Sequence, residues 1–226
     1  MKKNTAILIF ANSAKKDAER KSFLSSDVFL EINSQTLKTA EKSGIKYFHF
    51  SEKNQIGSSF GERFSNAIEA IFNKGFKNVI TIGNDTPHLK THHLLDTLHQ
   101  LEKNDLVLGP SKDGGFYLMG IKKEHFNKNT FLKLPWQTSK LQKCISSLIE
   151  SKNLTIHFLE ILNDLDTKED LKKLLHSFKA VPKSVLNILV LLIITQKKFF
   201  ADIIINLKKT FSTPNSNKGS PLIFVI

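Results

Sequence analysis

From Ala6 to Leu159, short runs of β-branched and aromatic residues alternate with longer stretches whose apolar residues fall at helical spacing. Few architectures accommodate that alternation. Strands are expected at Ala6–Phe10, Ile45–Phe50, Asn78–Ile82, Leu106–Leu108, Phe116–Ile121 and Leu154–Leu159. Helices are expected at Val28–Glu41, Ser59–Phe72, Thr91–Leu101 and Thr138–Ile149. In Ser59–Phe72, for example, Phe60, Phe64, Ala67, Ile68 and Ile71 share one face. Strand and helix in regular turn predict an α/β fold, a three-layer α/β/α sandwich whose central sheet is mostly parallel. A further helix is expected over Leu165–Leu175, capped by Asp166 or Thr167, with Glu169 and Asp170 in its electropositive first turn. The sequence has no internal repeat.

After Val181-Pro182 the composition changes, so the chain divides into a domain over residues 1–180 and an appendage over 181–226. The whole chain of 226 residues carries 33 Lys plus Arg against 21 Asp plus Glu, a net charge of +12. Nine lysines and one acid, Asp202, lie from Lys172 onwards, so much of the excess belongs to the end of the chain. Only Arg20 and Arg63 are arginines. Readers of base sequence lean on the bidentate guanidinium fork, so this lysine excess argues against a specific nucleic-acid partner. The one cysteine, Cys144, excludes an internal disulfide framework and a four-cysteine zinc site, and its apolar neighbours mark it as a small core residue. The apolar run after Met1-Lys2-Lys3 is too short for a signal peptide and suits a first strand, and no run approaches the length that spans a bilayer. A cytoplasmic location is expected. The appendage, apolar with paired lysines, suits either peripheral contact with an anionic membrane surface or packing on the domain or in a homodimer. Packing is favoured because its apolar positions are not confined to one face.

Four segments carry candidate chemistry. In Asn78-Val-Ile-Thr-Ile-Gly-Asn-Asp-Thr-Pro-His88 an apolar strand runs into Gly83 and then Asp85. Ligands of open α/β sheets lie beyond the carboxyl ends of the strands, which puts Asp85 on the rim of a crevice. A carboxylate there suits Mg²⁺ or Mn²⁺, hard cations that prefer oxygen, although it could equally cap the following turn. In Leu108-Gly-Pro-Ser-Lys-Asp-Gly-Gly-Phe116 the adjacent Gly114 and Gly115 permit close approach of a sugar or nucleotide to the backbone beside Asp113. The competing reading is a plain hairpin turn. Asp164 and Asp166, two apart, face one way in an extended chain and can share a cation, unless Asp166 is only a helix cap. In Gln55-Ile-Gly-Ser-Ser-Phe-Gly-Glu-Arg63 two glycines precede and enter a helix whose free N–H groups attract anions, with Arg63 in the first turn. An ion pair of Arg63 with Glu62 or Glu69 is the alternative. His88, His92 and His93 lie close together but lack the glutamate of a zinc-helix motif. Trp136 suits a sugar ring or a packed core equally well.

Taken in order, Gly57…Phe60-Gly61-Glu62-Arg63, Ile82-Gly83-Asn84-Asp85-Thr86-Pro87, Leu108-Gly109-Pro110…Asp113-Gly114-Gly115-Phe116-Tyr117-Leu118, Pro135-Trp136 and Asp164-Leu-Asp-Thr-Lys-Glu-Asp-Leu171 resemble the bacterial radical-SAM/selenodomain-associated transferases. These form a domain-of-unknown-function family (2064) of the glycosyltransferase-A superfamily. The similarity spans roughly Thr5 to Leu175. It implies a nucleotide-diphospho-sugar transferase fold and a Mg²⁺ or Mn²⁺ ion bridging nucleotide phosphates. By the same resemblance Asp85 is a metal ligand, Asp164 or Asp166 completes the metal or acceptor site, and Gln55, Ile56 and Gly57 face the nucleotide base; Asn84, beside Asp85, is a further nucleotide-binding candidate. Asp113, Gly114 and Gly115 border the sugar or acceptor, with Asp113 the candidate base; Trp136 stays a substrate-binding candidate on its own residue reading.

The chain departs from its relatives after the first strand. Ala11-Asn-Ser-Ala-Lys-Lys-Asp-Ala-Glu-Arg-Lys21 has no glycine or proline where nucleotidyltransferases of the superfamily wrap a triphosphate in a glycine-rich loop. Lys16, Arg20 and Lys21 remain to reach phosphates. The expected activity is therefore transfer of a sugar from a nucleotide-diphospho-sugar. The alternatives are nucleotidyl transfer from an NTP to a phosphorylated small molecule, and a non-catalytic nucleotide- or partner-binding domain.

Overall fold

The computed structural model describes residues 1–167, 169 and 170. In chain order these form β1 (Thr5–Phe10), α1 (Ala14–Arg20), α2 (Ser26–Lys42), β2 (Lys46–Phe50), α3 (Phe60–Asn73), β3 (Asn78–Ile82) and α4 (Thr91–Gln100). β4 (Leu106–Pro110), β5 (Phe116–Lys122), α5 (Lys128–Leu132), α6 (Leu141–Ser151) and β6 (Ile156–Phe158) follow. One six-stranded sheet runs β2-β1-β3-β5-β4-β6. β5 alone is antiparallel, to β3 on one side and β4 on the other. The β1–β2, β1–β3 and β4–β6 pairs are parallel, as a doubly covered sheet requires.

Alternate residues of each strand feed opposite layers. On β1, Ala6 and Leu8 join a core with Phe64, Ile68 and Ile71 of α3 and Ile145 and Ile149 of α6. Ile7 and Ile9 point the other way, against Ala40 of α2 and Leu94 and Leu98 of α4. Strands buried on both faces read as unbroken apolar runs for this reason. Local signals set the boundaries. Ser59 caps α3, accepting from the Glu62 amide at 3.2 Å while the Glu62 carboxylate takes the Ser58 and Ser59 amides.

Three sequence expectations change. Residues 14–20, which have no apolar periodicity, form α1, nucleated by the Ser13 cap and held by the Glu52 carboxylate, which accepts from the Ser13 amide and hydroxyl, each at 2.7 Å. The helix expected from Thr138 starts at Leu141, after a turn closed by the Thr138 carbonyl. Among the described residues Asp166 makes no capping hydrogen bond. Thr167 is the cap, exchanging hydrogen bonds with Asp170 at 3.1 and 3.2 Å, because the Asp166 carboxylate is drawn to Lys21. The remainder of that expected helix and the appendage 181–226 lie outside the described residues. Among the described residues no helix is long and apolar enough to cross a membrane.

Candidate active site

All strands but β5 end on the same edge of the sheet, and the order reverses beside β1, so the segments after β1, β2, β3 and β4 converge there. They enclose a cleft of about 890 Å³. Every candidate named above for metal, nucleotide or acceptor lines it except Ile56 and Gly114, the latter with φ +92° and lying against Ser139; the three histidines do not.

At the floor, β3 delivers Asp85. Its carboxylate folds back over Gly83, where a Cβ would lie 2.9 Å from Oδ1, so a side chain at Gly83 would displace it. The segment after β6 is tied to this rim: the Leu165 amide donates to the Asp85 carbonyl at 2.7 Å, and the Thr86 hydroxyl donates to Asp164 Oδ1 at 2.6 Å. Asp85, Asp164 and Asp166 are thereby gathered at one end of the cleft. Lys21, just past α1, reaches the same point. Its Nζ lies 2.5 Å from Asp166 Oδ1, 3.7 Å from Asp85 Oδ2 and 3.2 Å from the Leu165 carbonyl oxygen.

The electrostatics follow from crowding. Burial raises Asp85 above the ordinary carboxylate range, opposed by the Lys21 charge and reinforced by Asp166. Burial and then Asp85 push Asp164 up to about 7, against the hydrogen bond from Thr86. Burial alone would lower the Lys21 ammonium, but Asp85 and Asp166 outweigh it and its pKa is raised. One cation thus offsets an otherwise repulsive carboxylate cluster.

A second network holds this arrangement. Asp17 of α1 is buried and accepts from Asn12 and Asn84, both at 2.8 Å, and Asn84 also donates to Asn33 of α2 at 2.5 Å. The amide hydrogens of Asn84 are therefore engaged within the protein, leaving its carbonyl for a ligand. Asp17, Asn33 and Glu52 were not singled out in the sequence. The available signal was position, since Asp17 stands four residues before Lys21 on a helix and Glu52 follows β2 on the rim edge.

Across the cleft, Gly57 has φ +137° and lies so close to α3 that a Cβ would meet Glu62 Cβ at 2.6 Å. Arg63 bonds only the Ser58 carbonyl, at 3.3 Å, among its described partners. Glu62 is committed to the α3 cap and Glu69 to Lys128 at 2.7 Å, so neither pairs with Arg63, which lines the cleft with Lys16, Arg20 and Lys21. The Gln55 amide donates to the Phe50 carbonyl at 3.1 Å.

The 111–115 segment is the turn of the β4–β5 hairpin. Asp113 Oδ1 accepts from the Ser111 hydroxyl and, at 2.9 Å, from the Gly115 amide, while Oδ2 has no hydrogen bond among the described residues and Asp113 lines the cleft. Trp136 packs among Phe60, Phe64 and Phe131, with Nε1 donating to the Phe131 carbonyl at 2.7 Å, so its N–H is satisfied while one edge still borders the cleft. Cys144 on α6 is half-buried against the core.

His92, His93 and Glu160 also converge, on the far face of the sheet. His93 Nδ1 accepts the Lys90 amide at 2.9 Å, which leaves Nε2 protonated and facing Glu160 Oε1 at 2.7 Å. Metal-binding histidines donate through their second nitrogen, whereas here that nitrogen accepts, so the geometry is that of a hydrogen-bonded pair. His88 lies before α4, off its helical register.

A bacterial family described as "uncharacterized protein conserved in bacteria", DUF2064, matches residues 17–138. The chain is 25% identical over 163 residues to the 2-phospho-L-lactate guanylyltransferase of Methanocaldococcus vulcanius, covering 69% of this chain and 71% of that one. Its fold is similar to a candidate nucleotide-diphospho-sugar transferase from Desulfovibrio desulfuricans G20, with a TM-score of 0.68 at 20% identity over 90% of this chain and 97% of the other. It is also similar to 4-diphosphocytidyl-2C-methyl-D-erythritol synthase from Anaerococcus prevotii, with a TM-score of 0.53 at 13% identity over 76% and 97% of the two chains. The fold is that of the nucleotide-diphospho-sugar transferases.

Proposed function

The chain belongs to the DUF2064 family, and from that membership and the cleft we propose that it is a divalent-metal-dependent transferase of nucleotide-activated groups. The observation that carries this is the split of charge along one cleft. Asp85, Asp164 and Asp166 gather at a point that already holds a cation, Lys21 Nζ, and Lys16, Arg20 and Arg63 stand alongside. An oxygen-only donor set around a cationic position fits Mg²⁺ or Mn²⁺, held by Asp85 with Asp164 or Asp166. When bound, the ion would neutralise charge on the nucleotide phosphates. The chain's own cations would hold the phosphates' remaining charge, Gln55 and Gly57 would face the base, and Asp113 Oδ2 and the Gly115 backbone would border the acceptor.

Between the two transferase readings we favour nucleotidyl transfer. The resemblance to a guanylyltransferase over about seven-tenths of both chains supports it, and Lys16 and Arg20 of α1 line the cleft where they could meet phosphates. An acceptor phosphate oxygen would attack the α-phosphorus of an NTP, the bond to the β-phosphate oxygen would break, and pyrophosphate would leave. Sugar transfer is the second reading, favoured by the missing glycines between Ala11 and Lys21.

Calorimetric titration of ATP, GTP, CTP, UTP, UDP-sugars and GDP-sugars, with and without Mn²⁺, into wild type and Asp85→Ala tests this. Metal-dependent binding of one NTP, lost in Asp85→Ala, is expected. Preference for a nucleotide-sugar would transfer the assignment to sugar transfer, and failure of the whole panel would sink both.

A further inference from the structure

The mechanism so far leaves Lys21 with two incompatible tasks. Its ammonium is engaged with the carboxylates proposed to hold a metal, yet it belongs to the set of cations proposed to hold phosphates. Nζ sits 2.5 Å from Asp166 Oδ1, so a divalent ion held by that same oxygen would lie within about 5 Å of the ammonium. They would also draw on the same carboxylate charge. Lys21 is largely withdrawn from solvent, with 19% of its side chain exposed, so water screens the repulsion poorly.

We propose that Lys21 is a displaceable internal cation, which neutralises Asp85 and Asp166 until a metal–nucleotide complex takes those carboxylates and Lys21 passes to the phosphates. This rests on the metal-dependent reading above and says how the site takes up its substrate. Three features of the chain make the exchange workable. Lys21 follows the last turn of α1, and its backbone N–H is anchored to the Asp17 carbonyl at 2.7 Å, so the pivot is fixed while the four-carbon stem swings. The acidic rim has ties that do not involve Lys21, the Leu165 amide on the backbone carbonyl of Asp85 and the Thr86 hydroxyl on the Asp164 carboxylate. Arg20, the residue before Lys21, already lines the cleft. A displaced ammonium therefore needs phosphate as a new partner. Metal alone must evict Lys21 into unpaired solvation, whereas metal with nucleotide exchanges one ion pair for another. The two ligands should accordingly bind with positive coupling, and linkage makes that coupling reciprocal.

The test is Mn²⁺ titration by calorimetry into full-length wild type, Lys21→Met, Lys21→Gln and Lys21→Arg, without and with GTP, alongside thermal unfolding of each. Lys21→Met and Lys21→Gln should bind Mn²⁺ alone about tenfold more tightly than wild type and lose most of the gain that GTP gives wild type. Their unfolding midpoints should be lower than wild type without Mn²⁺ and be raised more by it, because unpaired carboxylates gain a partner. Lys21→Arg, still cationic, should behave as wild type. The glutamine variant keeps a donor for the Leu165 carbonyl and carries the comparison if the methionine variant folds poorly. Equal Mn²⁺ affinity in wild type and the neutral variants, with GTP still strengthening Mn²⁺ binding in wild type, would overturn the exchange and leave the metal-dependent reading standing. Absence of Mn²⁺ binding in every protein, with and without GTP, would overturn both.

Discussion

At the scale of single residues, the cleft is shaped by where side chains are missing as much as by where they are present. Gly61 lies in the first turn of α3 directly beneath Trp136, and an added Cβ would stand 2.8 Å from its Cδ1 and 3.2 Å from its Nε1. The indole cannot retreat, since Phe60, Phe64 and Phe131 surround it and its N–H is bonded to the Phe131 carbonyl. Gly61→Ala should therefore push Trp136 toward the cleft and cost about 1–3 kcal/mol, the usual penalty of overpacking. Trp136 is the sole tryptophan, so its fluorescence reports the displacement directly. A red-shifted emission with a lowered denaturation midpoint is expected, and unchanged emission would show that the aromatic cluster yields elsewhere. The same packing explains why the sequence left two readings of Trp136 open. Its position after Pro135 says nothing of the glycine and three phenylalanines that meet it from other elements.

At the scale of elements, the weakest seam is between β4 and β6, which share only three register pairs. Asp105, just before β4, reinforces it. Its carboxylate accepts from the Thr155 amide at 2.9 Å and hydroxyl at 2.8 Å, and pairs with His125 at 3.1 Å and Lys122 at 3.4 Å. Burial would raise its pKa, but the bonds from Thr155 and the neighbouring positive charges outweigh burial and hold it down to about 2, against an ordinary 3.8. A depressed carboxylate contributes stability that is complete above its unfolded pKa and lost as pH falls through the folded one. Asp105→Asn should thus cost about 1–2 kcal/mol at pH 7, discounted for partial exposure, and the difference from wild type should narrow by pH 3. Urea midpoints at the two pH values decide it; a pH-independent difference would mean that shape, not charge, holds the seam. Elements of this kind were legible to different degrees. β3 occupies the residues its apolar run predicts, and α3 differs by one residue at each end, because apolar runs and a capping box are local signals. α1 was hidden because it buries only Ala14 and Asp17 and depends on Glu52 of a distant loop. The rim position of Asp85 could be read from strand-end logic, whereas the partnership of Asp166 with Lys21 could not. It joins residues 145 apart in sequence and exists only once β3, α1 and the segment after β6 have met.

At the scale of the whole molecule, both layers of the sandwich close within the described residues. Each face of the sheet is covered, by α3, α5 and α6 on one side and α2 and α4 on the other, and the core runs from Thr5 in β1 to Leu165, which is buried beside Asp85. Every described residue that lines the cleft also lies between Phe10 and Asp166. The nine lysines from Lys172 onwards lie outside the described residues. A domain boundary near residue 180 follows as a proposal, and it makes a quantitative demand. A chain ending at residue 180 should unfold in a single cooperative transition with a midpoint within about 4 °C of the full chain, the shift that about 1 kcal/mol gives a domain of this size. It should also bind nucleotide and Mn²⁺ with unchanged affinity, because the described cleft is complete without residues 181–226 and screening at ordinary ionic strength confines the field of the removed lysines to about 8 Å. Thermal unfolding and calorimetry on the two chains measure both. Loss of the cooperative transition would mean that residues 181–226 complete the core, and intact folding with weakened nucleotide binding would mean that the appendage reaches the cleft and belongs to the substrate site.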